Sequence, residues 1–379
     1  MGENGAKDGV KAGERPGLGV EKTYIGSTLT PLSLAGLFLG GKAVAQAVTP
    51  SVVSALVPVF NGEQTLDACI RALQAQTTKP AEVIVIDDGS TDKTPEILKR
   101  LSEEFSNIRT IRNTENLGKA SSVNAALREV SSPYTAIVDS DTYLEGEYLE
   151  KTLRALDEKV VGASGKILPA KIEGVASRAR LIEYLHSQST YRMVQDRMGV
   201  AFVSPGCSSV WRTDWIARNG IPAETVVEDM DLTWEAQMAG MRVSYVPDAI
   251  AYTEEPETLG HYFKQIRRWF SWRPVLEKHS GGMPMRLKLL TSWMLVESVV
   301  YLAMLGMLFF NLFTGNFSTA FVLLAAELGI ITAVSVSQGH KIGIGLWDIL
   351  TSIPSYFLLR IPTTLMFWKS FIFPMRTGW

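Results

Sequence analysis

The stretch Glu82-Val83-Ile84-Val85-Ile86-Asp87-Asp88-Gly89-Ser90 decides the fold of this chain. Glu82 to Ile86 is a short run rich in β-branched side chains, which is typical of a strand buried on both faces. Two carboxylates, a glycine and a serine follow at once. A polar loop that closes such an apolar run predicts the carboxyl end of a strand in a parallel sheet.

Short apolar runs alternate with helical stretches on both sides of this segment. The predicted strands are Val53 to Val59, Glu82 to Ile86, Ile108 to Arg112 and Tyr134 to Val138, and the predicted helices are Thr65 to Gln76, Thr94 to Phe105 and Lys119 to Glu129. This alternation predicts an α/β fold in which helices cover both faces of a mostly parallel sheet. Ligands of such sheets bind outside the carboxyl ends of the strands, so we expect the site residues there.

The composition of the whole chain excludes several classes of protein. The formal net charge of the 379 residues is −2, and this absence of a basic excess argues against a nucleic-acid partner. Cys69 and Cys207 give neither a disulfide framework nor a metal-ligand spacing. The four histidines are scattered along the chain, so we predict none of them as a metal ligand.

Charge is distributed unevenly along the chain and predicts a soluble part followed by a membrane part. Residues 1 to about 30 are predicted to form a disordered tail. Leu32 to Val48 is apolar but contains Lys42, so it is marginal as a transmembrane helix and is open to an interfacial interpretation. We expect residues 51–258 to be catalytic, 259–288 to be amphipathic and interfacial, and 289–379 to be transmembrane.

Apolar segments near the carboxyl terminus predict two or three transmembrane helices. Leu289 to Phe313 and Phe317 to Ser337 are each long enough to cross a bilayer. Ile349 to Phe373 is interrupted by prolines and an arginine, which leaves a kinked or partly interfacial helix open. The positive charges of Arg286 and Lys288 place the soluble part on the cytosolic side of the cell membrane.

Two acidic motifs close predicted strands. Asp87 and Asp88 can accept hydrogen bonds from a base edge and ribose hydroxyls, although helix capping is the alternative. Asp139-Ser140-Asp141 follows the strand that ends at Val138. Alternate carboxylates at a strand end can share one hard cation that bridges to diphosphate oxygens, and Mg²⁺ or Mn²⁺ suits such ligands.

A third acidic motif, Glu228-Asp229, is the candidate catalytic pair. It follows Ser204-Pro205-Gly206-Cys207, a tight loop that can form the floor of a pocket. A carboxylate opposite the metal can take a proton from an attacking hydroxyl. The alternative is an acidic first turn of a helix over Asp229 to Met238, and both can hold together. Glu224 and Asp231 compete for the same role.

The fourth motif is Gln265-Ile266-Arg267-Arg268-Trp269. On a helix, Gln265, Arg268 and Trp269 share one face, where they offer an amide, a guanidinium for phosphate and an aromatic plate for a sugar ring. The alternative is an amphipathic helix on a membrane surface, an interpretation that we favour for Lys264, Arg267 and Arg273.

Together these motifs resemble the inverting glycosyltransferases of family 2, and most of all their processive, membrane-embedded branch of cellulose, chitin, hyaluronan and poly-N-acetylglucosamine synthases. The resemblance covers roughly Val52 to Trp272. The matching segments are Val57-Pro58-Val59-Phe60-Asn61-Gly62-Glu63, Asp87 to Ser90, Asn116-Leu117-Gly118-Lys119 with Asn124, Asp139 to Asp141, Glu228-Asp229, and the QxxRW motif at Gln265 to Trp269.

The resemblance implies a GT-A fold, a nucleoside-diphosphate sugar donor and a set of residue roles. The implied donor-binding residues are Pro58, Phe60, Asn61, Glu63, Asp87, Asp88, Lys119, Asp139 and Arg268, and the implied acceptor-binding residues are Gln265, Trp269, Cys207 and Gly206. It further implies a metal at Asp141 and Asp139, and Asp229 as general base beside Glu228. The run from Glu228 to Trp234, with Pro256 to Leu259, favours UDP-N-acetylglucosamine as donor and UDP-glucose next.

Two departures from the family pattern leave alternatives open. Val227 replaces the threonine of the family's TED triplet, and two or three membrane helices are few to enclose a polymer channel. Transfer of a single sugar to a polyprenyl phosphate or membrane lipid is therefore the nearest alternative to polysaccharide synthesis, and a non-catalytic nucleotide-sugar sensor is a remote one. The sequence also leaves open whether copies form a homo-oligomer.

Overall fold

The computed structural model of this chain describes residues 52–375. The predicted amino-terminal tail and the apolar segment Leu32 to Val48 lie outside these residues. Eight strands form one sheet: β1 (Val53–Val59), β2 (Glu82–Asp87), β3 (Ile108–Arg112), β4 (Tyr134–Val138), β5 (Thr142–Leu144), β6 (Val160–Pro169), β7 (Ser208–Arg212) and β8 (Arg242–Thr253). The helices of the catalytic part are α1 (Leu66–Gln74), α2 (Thr94–Glu104), α3 (Lys119–Leu127), α4 (Tyr148–Leu153), α5 (Val175–Ser187), α6 (Met193–Arg197), α7 (Thr213–Asn219) and α8 (Glu228–Met238), and a π-helical turn (Gln188–Arg192) joins α5 to α6.

The sheet has the order β3-β2-β1-β4-β7-β6-β8-β5. Strands β1 to β4 are parallel to one another, which confirms the predicted α/β class. β7 is antiparallel to its neighbours β4 and β6, and β5 is antiparallel to β8. The sheet is thus mostly parallel with two reversed strands.

β1 is an interior strand that lies between β2 and β4. All seven of its residues, Val53–Val59, are buried. Helix α1 covers one side with an apolar stripe in which Leu66, Ile70 and Leu73 are buried, a spacing that repeats once per helical turn. Burial on both faces is what a central parallel strand requires.

The sheet opens at the carboxyl ends of β1 and β4. Their pairing runs from Val53 and Tyr134 to Leu56 and Ile137, whereas β1 stays paired with β2 as far as Val59 and Asp87. Pro58, which has no backbone N–H to donate, lies just beyond the last β1–β4 pair. Since the chain turns to opposite sides here, this is the switch point at which α/β sheets bind their ligands.

Five helices follow β8: α9 (Leu259–Trp269), α10 (Arg273–His279), α11 (Met285–Phe313), α12 (Phe317–Lys341) and α13 (Leu346–Ile372). By length and composition, α11 and α12 are the two among the described residues that can cross a membrane, with mean hydropathies of 1.9 and 2.0. Both match predicted transmembrane segments. Helix α13 forms one continuous helix despite Pro354 and Pro362, and it buries Ile349, Ile353 and Tyr356 against the catalytic part.

Candidate active site

The loops after β1 and β2 are tied together by polar contacts. Asn61 has a positive φ of 55°, and its side-chain Oδ1 accepts a hydrogen bond from the backbone N–H of Thr91 at 2.9 Å. The backbone N–H of Asn61 donates to Ser90 Oγ, also at 2.9 Å. Glu63 Oε2 accepts from the backbone N–H of Lys93 at 3.1 Å. Phe60 stands beside them, half exposed. The predicted donor-binding residues Pro58, Phe60, Asn61 and Glu63 thus lie together at the end of β1 and in the loop after it.

Asp87 and Asp88 are both buried, and their carboxylates organise the loops around them. Asp87 Oδ1 accepts from Ser90 N at 2.9 Å. Asp88 accepts from Leu117 N, Gly118 N, Asn113 Nδ2 and Ser122 Oγ at 2.7 to 3.0 Å. Burial opposes the charged form of Asp88, but these hydrogen bonds outweigh burial and lower its pKa. The carboxylate of Asp88 therefore fixes the start of α3, and its predicted contact with a nucleotide stays a prediction.

Gly89 is a position that no larger residue fits. Its φ is +79°, and an added Cβ would lie 2.9 Å from the backbone carbon of Glu115. The loop between β2 and α2 thus passes against the 113–118 loop with no room between the two backbones. Glycine is required here for both reasons.

Lys119, the first residue of α3, is the cation at the centre of the site. Its Nζ lies 2.5 Å from Asp139 Oδ1 and 4.0 Å from Glu228 Oε1, and it donates to Gly206 O at 3.2 Å. Burial opposes its charge, but Asp139 and Glu228 outweigh burial and raise the pKa of Lys119. The ammonium is therefore charged at neutral pH and connects three of the predicted motifs.

Asp139 and Asp141 are held at the opening by the backbone on both sides. Asp139 N donates to Cys207 O at 3.0 Å, and Glu254 N donates to Asp141 O at 3.0 Å. Burial, and next the charge of Asp139, raise the pKa of Asp141 to about 6. Two carboxylates that repel each other in this way provide the hard oxygen ligands that Mg²⁺ and Mn²⁺ prefer. The donor set fits a divalent cation, and Asp139 and Asp141 are the residues that would hold it.

Asp229 sits in the first turn of α8, against the 204–207 loop. Its Oδ2 accepts from Gly206 N at 3.0 Å, and its Oδ1 accepts from Met230 N at 2.8 Å. The helix begins at Glu228, one residue before the predicted start. Burial, then the charge of Asp229, raise the pKa of the Glu228 carboxyl, while Lys119 and Arg268 act against this shift. The structure thus brings both predicted catalytic carboxylates close to Lys119. We call Lys119, together with Asp139, Gly206, Glu228 and Asp229 around it, the Lys119 centre.

The two competitors for the base are placed differently. Glu224 is exposed on the loop before α8. Asp231 is fully buried and already neutralised, because Lys278 Nζ lies 3.0 Å and His279 Nε2 2.6 Å from its carboxylate. His279, Asp231 and Glu235 come close enough to form a ligand group. Since the ammonium of Lys278 also lies 2.9 Å from Glu235, we interpret this cluster as an ion-pair network that joins α8 to α10.

Helix α9 carries the QxxRW motif as predicted. Gln265, Arg268 and Trp269 are partly buried, whereas Lys264 and Arg267 are exposed. Thr258 caps the amino-terminal end of the helix, and its side chain accepts from His261 N at 3.3 Å. The motif therefore turns its predicted binding face toward the protein and its remaining basic residues toward solvent.

One segment of the chain matches the model of a known protein family. Residues 54–215 match the family described as Glycosyl transferase family 2. The segment is thus similar to the domain of family 2 glycosyltransferases. The match includes the loops of Asp87 and Asp88, Lys119, Asp139, Asp141 and Cys207, whereas Glu228-Asp229 and the QxxRW motif lie beyond it.

Two curated relatives are also similar to this chain. It is 24% identical over 221 residues to a poly-beta-1,6-N-acetyl-D-glucosamine synthase of Staphylococcus aureus, over 57% of this chain and 53% of that protein. It is 31% identical over 233 residues to an N-acetylglucosaminyltransferase of Rhizobium sp., over 57% of this chain and 51% of that protein. The chain thus spans about half the length of these relatives.

A solved structure shows the same fold over most of this chain. A mannosyltransferase from Pyrobaculum calidifontis, in complex with GDP-Man and Mn²⁺, superposes with a TM-score of 0.56 at 19% sequence identity. The likeness covers 85% of this chain and 87% of that one. The predicted GT-A-like fold is confirmed, including helices beyond the family 2 domain.

Sequence reasoning missed two charged residues beside the candidate site. Arg180 on α5 is fully buried and contacts the QxxRW motif, and Glu255 lies buried just after β8. Arg180 stands among the apolar helix residues Ala176, Ala179 and Leu181. An arginine inside an apolar helical stripe was the available signal, because such a charge requires buried partners.

Proposed function

We propose that this chain is a membrane-bound inverting glycosyltransferase that moves N-acetylglucosamine from UDP-N-acetylglucosamine to a growing polysaccharide. The observation that carries the proposal is the Lys119 centre. Its ammonium is 2.5 Å from Asp139 in the DxD motif and contacts the same glycine, Gly206, whose N–H donates to Asp229. A metal-binding pair and a candidate base thus lie on two sides of one buried cation.

The chemistry proposed for these residues is a single displacement. Asp229 takes the proton from an acceptor hydroxyl, whose oxygen bonds to the anomeric carbon as the bond from that carbon to the diphosphate breaks. Attack from the side opposite the diphosphate inverts the anomeric configuration and needs no covalent enzyme intermediate. Lys119 and Arg268 bring positive charge to the departing diphosphate. A divalent cation held by Asp139 and Asp141 would supply further neutralisation of that charge.

The donor assignment is supported by the names of the relatives. Both are named for N-acetylglucosamine. UDP-glucose is the next candidate. The acceptor is assigned to a saccharide because the QxxRW face offers Trp269 and Gln265, an aromatic ring and an amide that suit sugar rings and hydroxyls.

Membrane attachment is supported by the surfaces of α11 and α12. Large apolar side chains project from both helices, and Phe313 is 92% and Phe321 71% exposed. Such a surface needs a covering of lipid or protein. Basic residues lie at the amino-terminal end of α11, namely Arg286 and Lys288, and at the carboxyl-terminal end of α12, namely Lys341. This distribution supports a catalytic part on the cytosolic side.

The test uses purified chain in nanodiscs with Mn²⁺ or Mg²⁺ and a panel of radiolabelled nucleotide sugars. We expect one donor, UDP-N-acetylglucosamine, to give a high-molecular-weight product that Asp229→Asn abolishes. Glu224→Gln is the matched control, because Glu224 is an exposed carboxylate shortly before α8 and should keep full turnover. Label found only in a lipid extract would replace the proposal with single-sugar transfer to a lipid. Donor binding without transfer to any acceptor would favour a sensor.

A further inference from the structure

Arg180 is a fully buried guanidinium in the middle of α5, outside all the motifs that the sequence singled out. Burying such a charge is costly unless carboxylates and hydrogen bonds surround it. Its Nη1 donates to Glu183 Oε2 at 2.6 Å, and its Nε lies 3.4 Å from Glu255 Oε2. Two acidic side chains thus contact one cation. A guanidinium stays protonated in proteins, so the charge of Arg180 is retained inside the fold.

The same guanidinium contacts two members of the QxxRW motif. Nη2 donates to Gln265 Oε1 at 3.2 Å. The Cζ atom lies 4.4 Å from the centroid of the Trp269 ring and 4.8 Å from that of Tyr262. These distances are those of cation–π contacts. Arg180 therefore restrains both the amide and the aromatic ring that the proposed acceptor would meet.

Glu255 extends this contact to the metal-binding side of the site. The residue before it, Glu254, donates its backbone N–H to Asp141 O at 3.0 Å. Glu255 itself is buried, and Asp141 is among the charges that act on its carboxyl group. A path of direct contacts thus runs from the DxD loop through residues 254 and 255 to Arg180, and from there to α9.

We propose that Arg180 is the positioning residue for the acceptor, holding Gln265 and Trp269 of α9 at a fixed place relative to Asp141 through Glu255. This inference rests on the proposed function. A planar guanidinium makes these contacts at once, with one edge on the carboxylates, one nitrogen on the amide and one face on the ring. An ammonium at the same place cannot do so.

The first test is Arg180→Lys in nanodiscs, with a soluble β-1,6-linked N-acetylglucosamine oligomer as acceptor. We expect kcat/KM for the oligomer to fall about tenfold, because the alignment of the acceptor is lost. Hydrolysis of the donor, in which water replaces the sugar hydroxyl, should stay within about twofold, since the donor half of the site is intact. Arg178→Lys, on the same helix but only partly buried and bonded to Thr351 instead of the QxxRW motif, is the matched control and should leave both rates unchanged.

A double-mutant cycle separates positioning from general support of the fold. If Arg180 acts through Trp269, then Arg180→Lys should lower kcat/KM for the oligomer by less than about twofold in a chain that already carries Trp269→Ala. The inference would be overturned if the two substitutions lowered kcat/KM by independent factors that multiply, or if transfer and hydrolysis fell equally. Either result would leave the proposed function standing. Should Arg180→Lys fail to fold, Glu255→Gln must give the same acceptor-specific loss, and its absence would count against the inference. If the parent chain transfers no sugar, both the proposed function and the positioning role of Arg180 are refuted.

Discussion

Replacing Gly206 by alanine would place a methyl group between the proposed base and the central cation. A Cβ built at Gly206 lies 3.2 Å from Asp229 Cβ and 3.2 Å from Lys119 Nζ. Ordinary van der Waals contacts begin at 3.4 Å. Gly206 is not among the residues with a positive φ, so the backbone itself accepts alanine. The strain of this variant is therefore confined to the two catalytic neighbours.

The magnitude follows from the hydrogen bond that this methyl group disturbs. Gly206 N donates to Asp229 Oδ2 at 3.0 Å, and a hydrogen bond to a charged group is worth about 1.5 to 3 kcal/mol. A displacement of a few tenths of an ångström should remove about half of that value, or about 1 kcal/mol. This loss corresponds to about a fivefold fall in kcat. The unfolding free energy should change by less than about 1 kcal/mol, since Asp229 is partly exposed and can shift.

The assay measures sugar transfer under saturating donor, with thermal unfolding in the same nanodiscs. Gly174→Ala is the matched control, because no atom lies within 4 Å of a Cβ at that position. It should keep full turnover. If Gly206→Ala kept kcat within twofold of this control, Asp229 would not be aligned by the 204–207 loop. The reasoning that makes Asp229 the base would then be refuted.

Three further predictions follow from the same structure. Asp231→Asn should lower the free energy of unfolding by about 2 kcal/mol in a chemical denaturation experiment, because Lys278 and His279 lose a fully buried carboxylate; an unchanged midpoint would contradict this. Burial raises the pKa of Glu255 from 4.5 to about 7, so the folded chain loses stability as pH rises from about 4.5 to 7. Glu255→Gln should remove this loss, so the free energy of unfolding at pH 8 relative to pH 5 should be about 2 to 3 kcal/mol higher in the variant than in the parent chain, and an unaltered pH profile would refute the assignment. Chelation with EDTA should abolish transfer and Mn²⁺ or Mg²⁺ should restore it, whereas Asp141→Asn should need at least about tenfold more metal; full activity in EDTA would exclude the metal site.

The first half of the sheet was predictable because its strands have simple patterns. β1, β3 and β4 begin and end at the predicted residues, and β2 extends one residue further. These strands are short apolar runs closed by polar loops, which is the pattern of a buried parallel strand. The predicted helices differ by one or two residues at their ends, where helices fray.

The second half of the sheet escaped prediction for a physical reason. β6 contains Gly162, Ser164, Gly165 and Lys166, yet all ten of its residues are buried. Its pairing with β8 is interrupted by register shifts near Gly162 and Gly165, where small residues let Trp211 and Ala249 approach closely. The sequence pattern of such a strand depends on its neighbours. Local periodicity therefore carries little information about it.

Site residues were predictable where a motif closes a strand. They were unpredictable where contacts with an element distant in the chain determine their role. Lys119, Asp139 and Asp229 come together as the motifs suggest. Arg180 and Glu255 had no motif, because their role depends on contacts between α5, α9 and the end of β8. Those contacts join residues far apart in the chain, so only the folded structure reveals them.

Helix α8 shows how strongly distant partners determine the chemistry of identical groups. Glu228, Asp229 and Asp231 are three carboxylates within one helical turn, and the sequence alone offers each as a base. Lys119 and Arg268 act on Glu228, Lys278 and His279 neutralise Asp231, and Asp229 receives only backbone N–H donors in the hydrogen bonds described above. In these contacts the Asp229 carboxylate is held by backbone donors, whereas the other two carboxylates face cations. This difference in partners, rather than position in the motif, is the physical reason to assign the base to Asp229.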